Sequence, residues 1–221
     1  MSEISDSIVG VDIGGTFTDF VYRTPQGLRI HKLLTTRADP SQAFLQGLDD
    51  LGVAPGAVIA HGTTVATNAV LEHKGARTAL IVTAGFRDLL AIGRQTRPAL
   101  YRLSFPERWL PVPDELTFEV SERVAASGEV LTPLDQAAAV EVVEAAILGG
   151  AESLAVCLLF SFVHPLHEQI IGEIARQRGL FVSLSSEILP EYREFERCST
   201  TALNAYVSPI LGRYLQNLEA G

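Results

Sequence analysis

The chain concentrates its chemistry near the start. Residues 9–21 read Val9-Gly10-Val11-Asp12-Ile13-Gly14-Gly15-Thr16-Phe17-Thr18-Asp19-Phe20-Val21, which sets an acid, two glycines, two threonines and a second acid between two apolar runs. Without a Cβ, Gly14 and Gly15 are free to take positive φ and bring backbone N–H groups against an anion, and Thr16 and Thr18 add hydroxyl donors. Asp12, closing the first run, is placed to hold Mg²⁺ through water. Magnesium keeps several waters and shares one or two carboxylates with phosphate oxygens, so a single strand-end acid suffices on the protein side. Asp19 is a second carboxylate in the same short stretch. The same pattern is a tight hairpin signal that needs no ligand. The two readings are compatible, and the density of acids, glycines and threonines favours the phosphate cradle.

A second constellation, His61-Gly62-Thr63-Thr64-Val65-Ala66-Thr67-Asn68, follows a short apolar run ending at Ala60 and opens a helical pattern. Helix N-termini carry unpaired N–H groups and partial positive charge, so this is a second expected anion site, with Gly62 allowing close approach and Thr63 and Thr64 as donors. One of the two threonines is expected to be the helix cap. His61 and Asn68 stand as substrate or subunit contacts, although a strand-end histidine such as His61 is more often a hydrogen-bonded structural residue than an acid or base. The segment from Gly85 to Pro98 offers Arg94 and Arg97 for bidentate recognition of a carboxylate, a phosphate or a neighbouring subunit. His164 and His167 have a spacing that can serve a metal, but no third ligand accompanies them, and Pro165 reads as the first residue of a helix. Glu191, Arg193, Glu194, Glu196 and Arg197 read as a salt-bridged helix face.

The elements that must hold these groups alternate in type. Strands are expected over 7–13, 17–23 and 28–35, an antiparallel meander, followed by a helix over 40–51 with Phe44, Leu45, Leu48 and Leu51 on one face. A strand at 57–60, a helix over 63–74 and a strand over 77–82 complete a β-β-β-α-β-α-β order, an α/β layer in which a mixed sheet joins the meander to parallel crossovers. Residues 85–132, rich in proline, read as an irregular insertion. Helices over 134–148, 165–178 and 194–218 and strands over 153–160 and 180–185 follow, with Pro209 expected to kink the last helix.

With 221 residues and 47% hydrophobic content the chain can bury a real core, and a net charge of −9 argues against a nucleic-acid partner. The acidic N-terminus resembles no signal peptide, no run is long enough to cross a bilayer, and Cys157 and Cys198 lack a pairing motif, so a cytoplasmic protein with two free thiols is expected.

Five segments, DIGGTFTD, HGTTVATNAVLEHKGART, GFRDLLAIGRQTRP, LAVCLLFSFVHPLHE and SSEILPEYREFERCSTTALNAYVSPIL, stand in the order in which they occur in the hydantoinase A/5-oxoprolinase family. The resemblance runs from about Val9 to Leu218 and covers the N-terminal region of that family. It implies the first, ribonuclease-H-like lobe of an actin-like ATPase, with the Asp12–Asp19 turn as its first phosphate loop. Asp12 would carry Mg²⁺ through water, Gly14, Gly15, Thr16 and Thr18 would hold phosphates of ATP, and Asp19 would support metal or turn. The implied activity is ATP-dependent opening of a cyclic amide after phosphorylation of its oxygen. The alternatives are a related ketone carboxylase subunit and a non-catalytic nucleotide-binding module; a small-molecule kinase using Asp88 as base ranks last. No second acid-glycine-hydroxyl turn follows Gly85. The expectation is therefore a fragment or split subunit that needs a C-terminal lobe and a second large subunit, and that binds ATP poorly alone.

Overall fold

The computed structural model describes residues 7–36, 38–96, 101 and 108–220. Their contacts divide the chain into two compact units, residues 1–74 with 210–221, and residues 75–209.

The first unit is built on a sheet of β1 (Ile8–Ile13), β2 (Phe17–Thr24), β3 (Gly27–Leu34) and β4 (Val58–Thr63) in the order β3-β2-β1-β4. β2 runs antiparallel to β1 and β3, and β4 is parallel to β1. Period-two alternation sends Val9, Val11, Ile13, Phe20 and Tyr22 to one face, where they form a core with Phe44, Leu51 and Tyr214. Phe44 and Leu51 belong to α1 (Pro40–Asp50) and its C-terminal cap. α1 begins where the sequence says it should: Asp39 accepts from the Ser41 N–H at 3.1 Å, and Pro40 fills the first turn. The Ser41 hydroxyl holds the Asp39 carboxyl below its ordinary range. A short α2 (Val65–Leu71) follows β4. The other sheet face keeps its apolar residues in view, with Leu28 68%, Ile30 78% and Val21 45% exposed.

In the second unit β5 (Thr78–Thr83), β6 (Thr117–Val120), β9 (Ser153–Cys157) and β10 (Phe181–Leu184) form an all-parallel sheet in the order β10-β9-β5-β6. Every residue of β5 and β9 is buried, the signature of strands covered on both faces. α3 (Leu89–Ile92), the β7 (Arg123–Val124) and β8 (Val130–Thr132) ribbon, α4 (Gln136–Leu148), α5 (Leu166–Gln177) and α6 (Ser185–Ile188) complete it. α7 (Glu194–Ala220) contains Pro209; its first part belongs to this unit and its last turns to the first.

The α/β class with a mixed sheet is as expected, and four details differ. β5 does not extend the first sheet but lies centrally in a second one, because an apolar run announces a strand without naming its neighbours. β6, β7 and β8 lie inside the stretch expected to be irregular; strands of two to four residues are too short to show a period. β4 continues through His61, Gly62 and Thr63, since pairing with Val11, Asp12 and Ile13 carries it past its apolar part. Arg197 is not on a solvated face: it is fully buried, donating to the Leu158 carbonyl at 2.7 Å and the Ser161 hydroxyl at 2.9 Å.

Candidate functional site

β1 and β2 meet at Gly14-Gly15-Thr16, where the Gly14 N–H donates to the Phe17 carbonyl at 2.9 Å. Neither Gly14 nor Gly15 has positive φ, so the expectation of left-handed backbone there is corrected. Their small size is used for approach instead: a Cβ on Gly15 would lie 3.1 Å from Asn68 Nδ2, and one on Gly14 3.2 Å from the Phe17 carbonyl. Among the described residues the N–H groups of Gly15 and Thr16 and the Thr16 hydroxyl have no hydrogen-bond partner. Unpaired N–H groups at an exposed turn are the donors an anion needs.

Thr18, expected among the phosphate donors, is fully buried, and its hydroxyl bonds that of Thr35 at 3.0 Å. It is committed to the scaffold. Thr35, which sequence reasoning missed, ties the turn down twice more: its hydroxyl donates to the Gly14 carbonyl at 2.9 Å and its N–H to the Thr16 carbonyl at 2.9 Å. The only advance signal was its position, one residue beyond the β3 end that pairs with Phe17.

The two acids sit directly across the ladder, Asp12 against Asp19, with Gly62 on the other side of Asp12. Their situations differ. Asp19 pairs with Lys32 at 2.8 Å, whereas Asp12 is exposed and has no hydrogen bond or ion pair among the described residues. A free carboxylate beside free N–H groups is what a hydrated Mg²⁺ shared with phosphate requires of a protein. No group of three or more His, Cys, Asp or Glu placed to hold a metal occurs among the described residues, so any metal here would depend on its other ligands.

The second constellation supports the turn from below. Thr64 is the residue that caps α2, though without a side-chain capping bond, and Thr63, one residue before it, accepts from the Val65 N–H at 3.2 Å. Thr64 directs both its N–H and its hydroxyl to the Ile13 carbonyl, each at 3.1 Å, and Asn68 Nδ2 donates to the Thr64 hydroxyl at 3.1 Å. The Thr64 hydroxyl is therefore engaged as a donor while that of Thr63 acts only as an acceptor, and α2, with seven residues, is too short to present a strong terminal dipole. Gly62 lies beside the Asp12 carboxylate, where an added Cβ would make an ordinary 3.5 Å contact.

His61 faces the core side of β4. Its Nε2 meets the Tyr214 hydroxyl at 2.7 Å and its ring stands edge-on to Phe44 at 5.2 Å. Burial lowers the imidazole pKa against the opposing pull of Asp12, and burial together with the Asp39 charge pushes the Tyr214 phenol up to about 12. The pair is thus a neutral phenol hydrogen-bonded to an imidazole whose neutral form is favoured. His61 is shielded from the Asp12 face rather than set to touch a ligand there.

In the second unit Arg94 pairs with Glu196, and Arg97 lies outside the described residues. His167 is buried with Nδ1 2.8 Å from Glu122 Oε2, its ring edge-on to His164. Buried Glu168 accepts from the Leu158 and Ser186 N–H groups and the Ser185 and Ser186 hydroxyls, so its charge is fully satisfied. Cys157 and Cys198 are free and buried. These groups build the second core.

With the site described, its relatives can be set beside it. The family described as Hydantoinase/oxoprolinase N-terminal region matches residues 8–179. Caprolactamase subunit alpha of Pseudomonas jessenii is 34% identical over 96% of this chain and 33% of its own length. The 5-oxoprolinase of Saccharomyces cerevisiae is 31% identical over 96% of this chain and 20% of its own. The crystal structure of the ATP-dependent caprolactamase superposes with a TM-score of 0.83 at 31% identity, covering 96% of this chain and 33% of that one. Nucleotide-free acetone carboxylase superposes at 0.81 over 97% of this chain and 34% of that one, and at 23% identity shows the fold alone. The chain spans about a third or a fifth of the length of these proteins.

Proposed function

This chain belongs to the hydantoinase/oxoprolinase family, and from that footing we propose that it is the lobe holding the phosphates of ATP in an amide-activating hydrolase. One observation carries the reading: a glycine turn fixed from beneath by Thr35, Thr64 and Asn68 leaves the Gly15 and Thr16 N–H groups unpartnered beside the unpaired Asp12. Bound Mg-ATP would supply γ-phosphoryl transfer to an amide oxygen, turning a resonance-stabilised carbonyl into an electrophile with phosphate as leaving group. The chain's own part is positioning. Gly15 and Thr16 cradle phosphate oxygens, Asp12 holds the hydrated metal on the open face, and Asp19 with Lys32 stiffens the strand pair behind it.

The adenosine pocket and a second phosphate loop lie, in this reading, in further polypeptide. Two findings favour a partner: relatives that are subunits or longer chains, and the bare apolar face of the first sheet. Acetophenone carboxylase gamma subunit of Aromatoleum aromaticum, 32% identical, keeps ketone carboxylation as the second reading.

Titrating the ¹⁵N-labelled chain with Mg-ATP tests the first part. Weak, saturable shifts are expected at Gly14, Gly15, Thr16 and Thr35, and Asp12→Asn is expected to abolish their magnesium dependence while leaving the spectrum otherwise folded. Shifts elsewhere, or magnesium dependence that survives the substitution, would overturn the assignment. Phosphate release by the assembled enzyme, stimulated by a cyclic amide or by a ketone with bicarbonate, then separates the two chemistries.

A further inference from the structure

At the C-terminal ends of β5 and β9 the second unit holds chemistry that the phosphate reading does not use. Cys157 closes β9, Cys198 lies in the first turns of α7, and both are buried in one core. Arg197 draws the two elements together: from the position beside Cys198 it donates to the carbonyl of Leu158, the residue after Cys157, at 2.7 Å. The thiols meet there, with the Cys198 S–H donating to the Cys157 sulfur. They are the only two cysteines in the sequence.

Cys157 also borders a cavity of about 10 Å³, room for one water-sized molecule. Of the residues around it, Thr83, Cys157 and Arg197 are buried and Phe86, Leu89 and Glu194 half-buried, so it lies just beneath the surface. Arg197 is 1% exposed; its Nη1 and Nη2 bond Ser161 and Leu158, while its Nε has no partner among the described residues. A buried charged donor left open in this way costs stability until a small polar molecule meets it. Thr83 is already committed, its hydroxyl donating to Glu122 and accepting from the Leu159 N–H. The chemistry open to a guest is therefore a guanidinium N–H beside a thiol.

The two thiols are not equivalent. The hydrogen bond from Cys198 holds the Cys157 thiol below its ordinary pKa, and the Arg197 charge acts the same way, against burial and Glu168. The same bond, with burial, pushes the Cys198 thiol up. Thiolate is the nucleophile, so attack on an oxidant falls to Cys157 and leaves Cys198 to resolve the product.

We infer that Cys157 and Cys198 form a peroxide-reactive dithiol, in which the cavity admits hydrogen peroxide to the Cys157 sulfur and excludes larger oxidants. The Cys157 thiolate attacks one peroxide oxygen: the S–O bond forms, the O–O bond breaks, and the departing hydroxide takes the proton that Cys157 gave up and leaves as water. Sulfur is oxidised to the sulfenic acid and peroxide is reduced, with the Arg197 N–H facing the leaving oxygen. The Cys198 sulfur then attacks that of Cys157, forming S–S and breaking S–O, and the Cys198 proton leaves with the hydroxyl as a second water. The product is a disulfide fastening the end of β9 to the start of α7.

The test treats the reduced, folded chain with a slight excess of hydrogen peroxide or of glutathione disulfide, removes the oxidant, and reads intact and peptide masses. Peroxide is expected to remove two hydrogens and to join the peptides carrying Cys157 and Cys198, reversibly with dithiothreitol. Glutathione disulfide is expected to leave both thiols unmodified. Oxidation of Met1, the single methionine, adds an oxygen and is told apart by mass. In Cys198→Ala the reaction should stop at the sulfenic acid, so that unfolding the peroxide-free sample in dimedone labels Cys157; in Cys157→Ala the same treatment should leave Cys198 unlabelled. Three results would each overturn the inference: thiols that survive peroxide in the folded chain, glutathione disulfide oxidising the pair as readily as peroxide does, or dimedone labelling Cys198 as fully as Cys157. The first two are read on the unsubstituted chain, so they decide the matter whether or not either variant folds.

Discussion

Thr35 does for the glycine turn what the turn cannot do for itself. Its hydroxyl bridges the Gly14 carbonyl and the fully buried Thr18 hydroxyl. Thr35→Val keeps the shape and the backbone bond but strands Thr18, and is expected to cost about 1–3 kcal/mol in urea unfolding. It should also broaden the Gly15 and Thr16 resonances, since the loop loses its tether; an unchanged midpoint and sharp signals would show the tether to be dispensable. His61 gives a pH signature at the same scale. Burial keeps its folded-state pKa below the ordinary 6.5, so as pH falls the unfolded chain takes the proton first. The contribution is whole above about pH 6.5, falls below it, and levels once the folded imidazole also titrates. His61→Phe should flatten the stability profile in that window alone, leaving the lower range of Asp39 intact. The candidate site was legible in part for a physical reason: a sequence displays its inventory of hydroxyls but not which are already engaged. Thr18 and Thr64 read as ligand donors, yet their hydroxyls bond Thr35 and the Ile13 carbonyl, while Thr35 lies 21 residues from Gly14 and only the β2–β3 register brings it there.

At the level of elements, α1 packs on the first sheet through a glycine. A Cβ on Gly47 would lie 2.1 Å from the Phe20 ring, and Phe20 is fully buried with nowhere to move. Alanine would gain up to about 1 kcal/mol in helix propensity, yet overpacking typically costs about 1–3 kcal/mol, so Gly47→Ala is expected to lower stability. Phe20→Leu should rescue it in the double variant, a non-additive cycle in thermal unfolding that a purely local helix effect would not produce. The same packing explains what the sequence made readable. Amphipathic periods and caps located α1, α4, α5 and α7 to within a few residues, because those signals are local. The partnership of β5 with β6 and β9 rests on pairs such as Leu80 with Thr117 and Leu80 with Ala155, and nothing local to β5 encodes them.

For the whole molecule, the bare face of the first sheet sets the question of what else is needed. In register, one row runs Leu28, Arg23, Ile8 and Val58 and the next Ile30, Val21, Gly10 and Ala60, before the polar row of Lys32, Asp19, Asp12 and Gly62. The apolar rows therefore adjoin the row that carries the proposed metal carboxylate. A contiguous apolar patch of this kind on an isolated chain marks an interface or a route to self-association. With two thirds or more of each compared relative lying outside the matched segment, the occupant we propose is that further polypeptide, which would bring its half of the nucleotide site against Asp12. Leu28→Lys with Ile30→Lys tests this at positions 68% and 78% exposed, where substitution should change folding stability by no more than about 0.5 kcal/mol. Sedimentation velocity should show the unsubstituted chain associating as its concentration rises and the double variant remaining monomeric. In the assembled enzyme the same pair should weaken subunit or lobe association and lower phosphate release, although neither residue touches the turn. A variant that assembles and turns over normally would mean that the face is covered by nothing the reaction requires.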